Sequence, residues 1–546
     1  MTKRLNIFFS IIMLSICILM VKIYLISNKD DIIEAASNQS FYNINVAKAR
    51  GKIFDCKKKS LTNIEYNTVA CIIPSISVKE ELKLAFDNET VEQILKDHSD
   101  SKPFIIPIDE NASEKLKNSK YIDIFKVPIR YGHDQILKHV IGYIDSNGGV
   151  CGIEKVFNDY LENEDCKLSI RYKVNALNQF LPGGEKIIDD NLYLQNRGVV
   201  LTIDSQIQKI VEEASRKYLK KGAVVIAEAP TCKIRALASF PEFSYEDLSK
   251  DLKNQDCPFL NRAFAAYNVG STFKLVTAIA ALENGIEKDT RYNCKGYITV
   301  GDSKFNCYNK IAHKELDMCR ATALSCNGYF VMLSELMESN VILDMAYKLG
   351  FNKTINFSEN LSDKSFSPAQ GRLPYLRSLD NPKTLANFSF GQGSLLATPI
   401  QIVGLINSIA SGGIYNEPRL IEGLTDQKLD FIKKPKEDIK NVKVYSKETA
   451  ENIKEFMRAS AQIGTSQKGS SQEIPIAAKT ATAQTGIKIN GRNVLQAWFS
   501  GIFPLDRNSN NSYSMVILSE DGQGGANSCG PLFKEIVENM QKEGLI

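Results

Sequence analysis

The sequence has 546 residues, which is too long for one ordinary domain and predicts two or more. Its 67 basic and 63 acidic residues nearly balance, so the charge gives no reason to expect a nucleic-acid partner. The chain has twelve cysteines, of which Cys17 lies in an apolar N-terminal stretch. The odd number that remains has no tight spacing framework, which argues against a disulfide-stapled scaffold.

The N-terminal stretch predicts a membrane anchor. Lys3 and Arg4 precede an almost unbroken apolar run over residues 5–26, which as a helix would be about 33 Å long and could cross a bilayer. The basic residues ahead of the run predict a single-pass protein of the cell membrane, with its N-terminus in the cytoplasm and the remaining chain outside. A cleavable signal peptide, cut at the small residues 35–37, is the alternative. Because that segment lies well past the apolar run, we expect an uncleaved anchor over residues 1–28.

Two domains are expected after the anchor. Residues 29–196 are polar and rich in Lys, Asn and Asp, with short strands and amphipathic helices such as 80–86, and they contain no catalytic constellation. Residues 197–546 open on a strand at 198–204, where Asp204 is expected to cap the next helix. Segments 222–227 and 233–239 show the β period on either side of a turn at Pro230 and Thr231.

The later part of this domain predicts its fold class. A helical middle is followed by strands near Lys479 and at residues 497–499 and 513–518, and then by a helix that begins near Pro531. Strands, then helices, then strands favour an α+β domain, in which a helical region packs against a central antiparallel sheet.

A catalytic pair of residues is predicted where the loop at 267–270 becomes a helix. Ser271 and Lys274 are three residues apart and share a helical face, so their side chains can meet. Residues 275–283 are nearly all apolar, and a lysine at the buried start of such a helix is costly unless it has a role. Burial lowers the pKa of a lysine, which would let Lys274 accept the proton of Ser271 and activate it as a nucleophile.

The segments around this pair resemble the transpeptidase domain of penicillin-binding proteins. Asn-Arg-Ala at 261–263 and Gly-Ser-Thr-Phe-Lys at 270–274 resemble the active-site box of that family, with Val269 where proline is usual. Ser-Cys-Asn at 325–327 and Lys-Thr-Ala-Thr at 479–482 fit the second and third boxes in order and spacing. Arg-Gly-Lys-Ile-Phe-Asp at 50–55 and His-Val-Ile-Gly-Tyr at 139–143 resemble the pedestal domain of the class B proteins.

The resemblance implies a role for each residue of the boxes. Ser271 would be the nucleophile and Lys274 its base, and the backbone N–H groups of Ser271 and Thr482 would form the oxyanion hole. Ala481 departs from the family, which nearly always has glycine there, and we expect its methyl group at the substrate surface. The other implied roles are a proton relay by Ser325, an amide contact by Asn327, and binding of the substrate carboxylate by Lys479, Thr480 and Thr482.

The activity that the resemblance implies is that of a membrane-anchored D,D-transpeptidase. It would cross-link peptidoglycan stem peptides without a catalytic cofactor, be a target of β-lactams, and work with a lipid-linked glycan polymerase. A D,D-carboxypeptidase is the nearest alternative, because water and an amine compete for one acyl-enzyme. A non-catalytic penicillin sensor or scaffold, and a secreted β-lactamase, fit the sequence less well, since both residues of the first box are present and the chain has an anchor and a large pedestal.

A structural zinc site is predicted between the first and second boxes. Three cysteines and one of the four histidines of the chain lie within 26 residues there, and three thiolates with an imidazole are a known structural zinc set. A disulfide between Cys294 and Cys307, or burial of the cysteines as small apolar residues, is the alternative. Asp302 and Cys326 are substitute ligands. The expected ligands are Cys294, Cys307, His313 and Cys319.

Overall fold

The computed structural model describes residues 2–27, 40–75, 77–98, 102–175, 180, 185–435, 442–489, 491–505 and 512–546. The chain forms two compact units that interleave along the sequence. The first comprises residues 1–50, 63–132 and 163–195, and the second comprises residues 51–62, 133–162 and 196–546.

The N-terminal helix of the first unit is long and apolar enough to cross a membrane. It extends over Thr2–Ser27, and the span Lys3–Ser27 has a mean hydropathy of 2.5. Its large apolar side chains are exposed, which suggests that lipid surrounds them. The alternative cleavage segment 35–37 lies outside the described residues.

The described part of the first unit also contains two small antiparallel sheets and several short helices. In one, Glu65–Ile72 lies between Phe104–Ile108 and Ile122–Ile129; in the other, Lys167–Lys173 lies between Phe41–Lys48 and Lys186–Asp190. Buried aliphatic residues of the first sheet pack against short helices. The helix expected at 80–86 occupies Val78–Leu82 instead. The other helices are Asn88–Asp97 and Glu110–Leu116, and a 3₁₀ turn covers Leu192–Asn196.

A five-stranded antiparallel sheet forms the centre of the second unit. Its strands are β1 (Gly222–Ala229), β2 (Lys233–Phe240), β3 (Ala477–Ile489), β4 (Arg492–Phe503) and β5 (Ser512–Glu520). The spatial order is β2-β1-β5-β4-β3, so β3 is an edge strand. The predicted hairpin of β1 and β2 is confirmed by their antiparallel pairing.

Helices cover both faces of this antiparallel sheet, and the predicted α+β class is confirmed. On one face, Ser205–Tyr218 and Gly530–Lys542 contribute buried aliphatic and aromatic side chains to a core shared with the strands. On the other, Pro399–Ala410 packs against β1, β4 and β5 and is almost wholly buried. The predicted cap is also present, since the Asp204 side chain accepts the N–H of Gln206.

The helix Lys447–Ile463 of the helical region packs beside the edge strand β3.

A separate four-stranded sheet joins Lys52–Phe54, Gly198–Leu201, Ile421–Thr425 and Phe431–Lys433. The other short strands are Ile144–Asp145, Gly148–Gly149, Tyr267–Asn268, Tyr292–Cys294, Tyr297–Val300, Ser303–Asn306, Lys314–Leu316, Leu396–Ala397, Ile414–Tyr415 and Val442–Lys443. The remaining helices are Lys138–Ile141, Gly152–Val156, Asn158–Leu161, Leu248–Leu252, Lys274–Glu283, Met318–Ala323, Asn327–Glu335, Ser339–Lys348, Leu376–Leu379, Pro382–Ser389, Lys447–Ile463 and Gly525–Ser528, with 3₁₀ turns at Gly270–Phe273, Tyr308–Lys310 and Gln467–Gly469.

Candidate active site

Ser271 lies in a 3₁₀ turn that is pressed against the edge strand. The turn Gly270–Phe273 leads directly into the helix Lys274–Glu283. Gly270 has φ +62°, and a Cβ at this position would lie 3.1 Å from the carbonyl oxygen of Thr482. Glycine is therefore needed both for the left-handed backbone and for the close approach to β3. This approach places the half-buried Ser271 beside the third box.

The Lys274 side chain is fully buried and bonds to the second box. Its Nζ donates to the carbonyl of Ser325 at 2.8 Å, to the Ser325 hydroxyl at 3.1 Å and to Oδ1 of Asn327 at 2.7 Å. Burial lowers the pKa of Lys274 to about 8, because the interior disfavours the charged ammonium. Within the described residues, no hydrogen bond joins Lys274 to the Ser271 hydroxyl, although the two residues are only three positions apart.

Ser325 has an unusual backbone conformation for a residue with a side chain. Its φ is +57°, in the left-handed region, which costs free energy for a residue other than glycine. The conformation lets Lys274 contact both its carbonyl and its hydroxyl. It also presents the hydroxyl to a second ammonium, since Lys479 Nζ donates to the same oxygen at 3.1 Å.

Lys479 is the second buried ammonium of the site. It lies on β3 and also donates to the carbonyl of Thr480 at 2.9 Å. Burial holds the pKa of Lys479 well below its ordinary value, and the nearby charge of Lys274 lowers it further. With both lysines bound to one hydroxyl oxygen, the site favours the loss of a proton from one of them.

The two threonines of β3 have partners that the sequence does not reveal. The Thr480 hydroxyl donates to the Thr465 hydroxyl at 2.7 Å, and Thr482 Oγ1 accepts the N–H of Gly525 at 3.4 Å. Ala481 is only 3% exposed, so its methyl group is buried and does not stand at an open surface as expected. Thr465 is the residue here that sequence reasoning missed; a Gly-Thr pair after an amphipathic helix is too common a signal to have identified it.

The strand before Ser271 is fixed to the central sheet. The backbone of Asn268 accepts from the Trp498 indole at 2.9 Å and donates to Gln496 Oε1 at 2.8 Å. The Tyr267 hydroxyl donates to Glu520 Oε1 at 2.7 Å. These contacts with β4 and β5 hold the turn that carries Ser271 at a fixed height along the sheet.

A cluster of three thiols and an imidazole lies behind the second box. The ligand atoms of Cys294, Cys307, His313 and Cys326 all lie within 4.8 Å of one another. Cys326 thus takes the place expected for Cys319, which lies outside this group. The correction has a structural reason, since Cys326 precedes the helix Asn327–Glu335 and its thiol is brought to 3.7 Å from that of Cys307. The substitute ligand Asp302 instead pairs with Lys383.

The cluster is linked directly to Asn327. The Nδ2 of Asn327 donates at 2.8 Å to the carbonyl of Asn306, the residue before Cys307. Because Cys326 is the neighbour of Asn327 in sequence, cysteines of the cluster flank both partners of this hydrogen bond. The hydrogen bond between the thiols of Cys307 and Cys326 lowers the pKa of Cys307.

Comparisons with known proteins agree with this architecture. A family model described as the penicillin-binding protein transpeptidase domain matches residues 222–538, more than half of the chain. Stage V sporulation protein D of Bacillus subtilis is 25% identical over 455 residues, which cover 80% of this chain and 67% of that protein. Peptidoglycan D,D-transpeptidase FtsI of Buchnera aphidicola is 26% identical over 435 residues, which cover 76% of this chain and 69% of that protein.

Solved structures share the fold over nearly the whole chain. The penicillin-binding protein PBP2 from Helicobacter pylori has a TM-score of 0.66 at 21% identity and covers 92% of this chain and 100% of its own. A chain of a peptidoglycan synthase complex that coordinates polymerization and crosslinking has a TM-score of 0.69 at 21% identity, and covers 98% of each chain. The predicted resemblance is confirmed: the chain belongs to the class B penicillin-binding proteins, whose transpeptidase domain carries the site described above.

Proposed function

We propose that the chain is a membrane-anchored serine D,D-transpeptidase that cross-links peptidoglycan stem peptides and is acylated by β-lactams. One observation carries the proposal: the buried Lys274 and Lys479 both donate to the Ser325 hydroxyl, beside the turn of Ser271. Two amines of lowered pKa around one hydroxyl form a path for protons between a nucleophile and a leaving group.

The acylation step begins at Ser271. Its Oγ attacks the carbonyl carbon of the D-Ala-D-Ala bond while neutral Lys274 takes its proton. We assign the binding of the resulting oxyanion to the backbone N–H groups of Ser271 and Thr482. Support comes from the close approach of Gly270 to the backbone of Thr482.

Ser325 completes the step. Its oxygen accepts hydrogen bonds from Lys274 and Lys479, so its own proton is free to pass to the departing amine of D-Ala. The C–N bond breaks, and the proton that Lys274 took from Ser271 refills the Ser325 hydroxyl. An amine of a second stem peptide then attacks the ester, and the same path runs in reverse to release the cross-linked peptide.

The remaining residues of the three boxes are assigned to contacts with the substrate. Asn327 binds the substrate amide, while Thr480 and Thr482 bind the carboxylate of the terminal D-Ala. Lys479 adds positive charge, because a neutral Lys274 and the incoming carboxylate both favour its protonated form. Support comes from the position of both threonines on one face of the edge strand β3, which a peptide can extend by strand addition.

Product analysis tests the activity. Purified full-length protein is incubated in detergent with uncross-linked glycan strands that carry pentapeptide stems. The products are digested with muramidase and identified by mass spectrometry. Transpeptidation yields cross-linked dimers that disappear on preincubation with penicillin. Tetrapeptide monomers alone would establish the carboxypeptidase instead, and penicillin binding without either product would establish the sensor or scaffold.

The organisation we propose around this domain follows the sequence. Residues 1–28 form a cytoplasmic stub and anchor, residues 29–196 a pedestal, and residues 197–546 the transpeptidase domain on the outer side of the membrane. A lipid-linked glycan polymerase is the proposed partner; support comes from the shared fold with a chain of a synthase complex that couples polymerization to crosslinking.

We also propose that Cys294, Cys307, His313 and Cys326 hold a structural zinc ion. Tetrahedral zinc with usual bond lengths separates two sulfur ligands by about 3.8 Å and a sulfur from a nitrogen by about 3.6 Å. The distances here are 3.7 Å for two sulfur pairs and 3.4 Å from Cys294 Sγ to His313 Nδ1. Four protein ligands leave no open position, so the ion would pin the segment before Asn327 and take no part in the chemistry.

Metal analysis of two cysteine variants tests the zinc site. The unmutated protein is expected to carry one zinc per chain, Cys326→Ser to lose it, and Cys319→Ser, a matched change seven residues away, to keep it. A chelator should lower the melting temperature of the unmutated protein and of Cys319→Ser alike. Purified protein without stoichiometric zinc, or zinc lost from Cys319→Ser alone, would refute this ligand set.

A further inference from the structure

Thr465 lies outside the three boxes and makes a direct side-chain hydrogen bond to one of them. Its hydroxyl accepts from that of Thr480 at 2.7 Å. Thr480 is 7% exposed, whereas Thr465 is half-buried and lies in the loop after the helix Lys447–Ile463. Within the described part of the chain, the Thr465 hydroxyl makes no other hydrogen bond.

The structure holds Thr465 in place from both sides. Its N–H donates at 3.1 Å to the carbonyl of Ala323, two residues before Ser325. The preceding Gly464 has no room for a side chain, since a Cβ would lie 2.2 Å from that same carbonyl. On the other side, the Ser466 hydroxyl bonds to that of Ser460 at 2.8 Å. The loop therefore clamps Thr465 between the second box and the third.

The hydrogen-bond direction matters because each hydroxyl has one proton. Thr480 donates to Thr465 in the structure, and while that hydrogen bond is made its single proton is not available to a substrate. A carboxylate only accepts hydrogen bonds. For Thr480 to bind it, the bond between the two threonines must reverse, so that Thr465 donates to Thr480 Oγ1 and the Thr480 proton turns to the carboxylate.

We propose that Thr465 is a positioning residue for recognition of the substrate carboxylate, and that it acts through Thr480. The inference rests on the proposed function, which assigns Thr480 to that carboxylate. Thr465 stabilises Thr480 in its donating orientation, and a hydrogen bond to a charged acceptor gains strength when its donor is itself hydrogen-bonded.

Acylation of the full-length protein by penicillin, whose carboxylate stands in for that of the terminal D-Ala, tests the inference. Thr465→Val removes the hydroxyl at equal volume, and we expect the second-order acylation rate constant to fall about tenfold. Thr465→Ser keeps the hydroxyl and should stay within about twofold. Thr465→Ala should give the same loss as the valine variant and serves if that variant does not fold. Ser470→Ala is the matched control, because it removes a hydroxyl of the same loop that donates only to the Ala461 carbonyl.

Two further readouts separate positioning from a structural role. With the methyl ester of the same penicillin, Thr465→Val should be acylated as fast as the unmutated protein, because the ester lacks the charged acceptor. In the Thr480→Val background, Thr465→Val should cause no further loss, because the residue through which it acts is gone.

Each failure has its own meaning. If the unmutated protein is acylated and Thr465→Val reacts at the same rate, or loses equally with acid and ester, the inference is overturned while the proposed function stands. If the unmutated protein is not acylated at all, the proposed function fails and this inference fails with it.

Discussion

Lys274 is kept in a buried pocket where an ammonium is costly and three oxygens surround it. Because its pKa is lowered to about 8, a fraction of the side chain is neutral near physiological pH and able to accept a proton. An ordinary lysine would be almost fully charged at that pH.

This shift predicts the pH dependence of acylation. The second-order rate constant for penicillin should rise with pH and level off above about 8, the pKa of Lys274. Lys274→Arg should stay charged and lose acylation by a factor of about 100 or more. Stopped-flow acylation from pH 6 to 10 is the measurement. A profile that falls over this range, or an active Lys274→Arg, would exclude Lys274 as the base.

The same shift has a defined effect on stability. The folded pKa lies below the unfolded value of 10.5, so the unfolded chain binds more protons between about pH 8 and 10.5. The contribution of Lys274 to stability therefore rises with pH across that window.

Local spacing predicted the lysine but not all of its neighbours. Ser271 and Lys274 are close because a helical turn makes them close, and Thr480 and Thr482 share a face because a strand alternates. Cys326 could not be preferred to Cys319, since both follow His313 at a plausible distance and the choice depends on how the helix Asn327–Glu335 packs. Thr465 could not be predicted either, because its contact with Thr480 depends on tertiary packing and not on local spacing.

At the scale of the elements, the helix Ser205–Tyr218 carries a carboxyl group that the site does not use. Glu212 is buried, and its Oε1 accepts the N–H of Leu137 at 2.7 Å and Nε2 of Gln208 at 2.8 Å. Arg216 and Glu242 are the charged groups beside it. Burial, together with the charge of Glu242, raises the pKa of Glu212 to about 7.

This carboxyl group predicts a stability change with pH. Because the folded pKa is above the unfolded value of 4.5, the folded state binds more protons in the window from about 4.5 to 7. The contribution of Glu212 to the free energy of unfolding therefore falls as pH rises through this window, by about 3 kcal/mol in total. Glu212→Gln stays neutral and keeps an acceptor for Leu137, so its melting temperature should fall less between pH 5 and 8.

The neighbouring residue supplies the control. Glu213→Gln changes an exposed carboxyl group on the same helix and should leave the pH dependence as it is in the unmutated protein. Equal pH dependence of Glu212→Gln and the unmutated protein would show that Glu212 is ionised throughout.

The elements themselves were largely predictable from sequence. The alternation in 222–227 and 233–239 and the turn at Pro230 and Thr231 predicted the hairpin of β1 and β2, and Asp204 was identified as a cap from its position before an amphipathic helix. The order β2-β1-β5-β4-β3 was not predictable, since it pairs strands nearly 300 residues apart in sequence.

At the scale of the whole molecule, the interleaving of the two units along the chain could not be predicted from the sequence either. Lys52–Phe54 pairs in parallel with Gly198–Leu201, which draws residues 51–62 into the second unit. No local pattern encodes such a pairing. The predicted boundary between residues 196 and 197 remains a prediction.

The proposed topology makes the chain beyond the anchor accessible from outside the cell. Protease added to intact protoplasts should digest the chain after about residue 28 and spare only a short anchor fragment, because basic residues hold the N-terminus inside. A cytoplasmic protein in the same sample should survive until detergent is added. Full protection of the chain in intact protoplasts would mean that its orientation is reversed.

The central claim is that Ser271 is the nucleophile of an acyl transfer. The most direct test is mass spectrometry of the full-length protein after reaction with penicillin, together with Ser271→Ala as a variant of unchanged melting temperature. The account predicts a mass increase of one penicillin molecule per chain, located on the peptide that contains Ser271 and absent from Ser271→Ala. An adduct on another residue, or an equal adduct on Ser271→Ala, would contradict it.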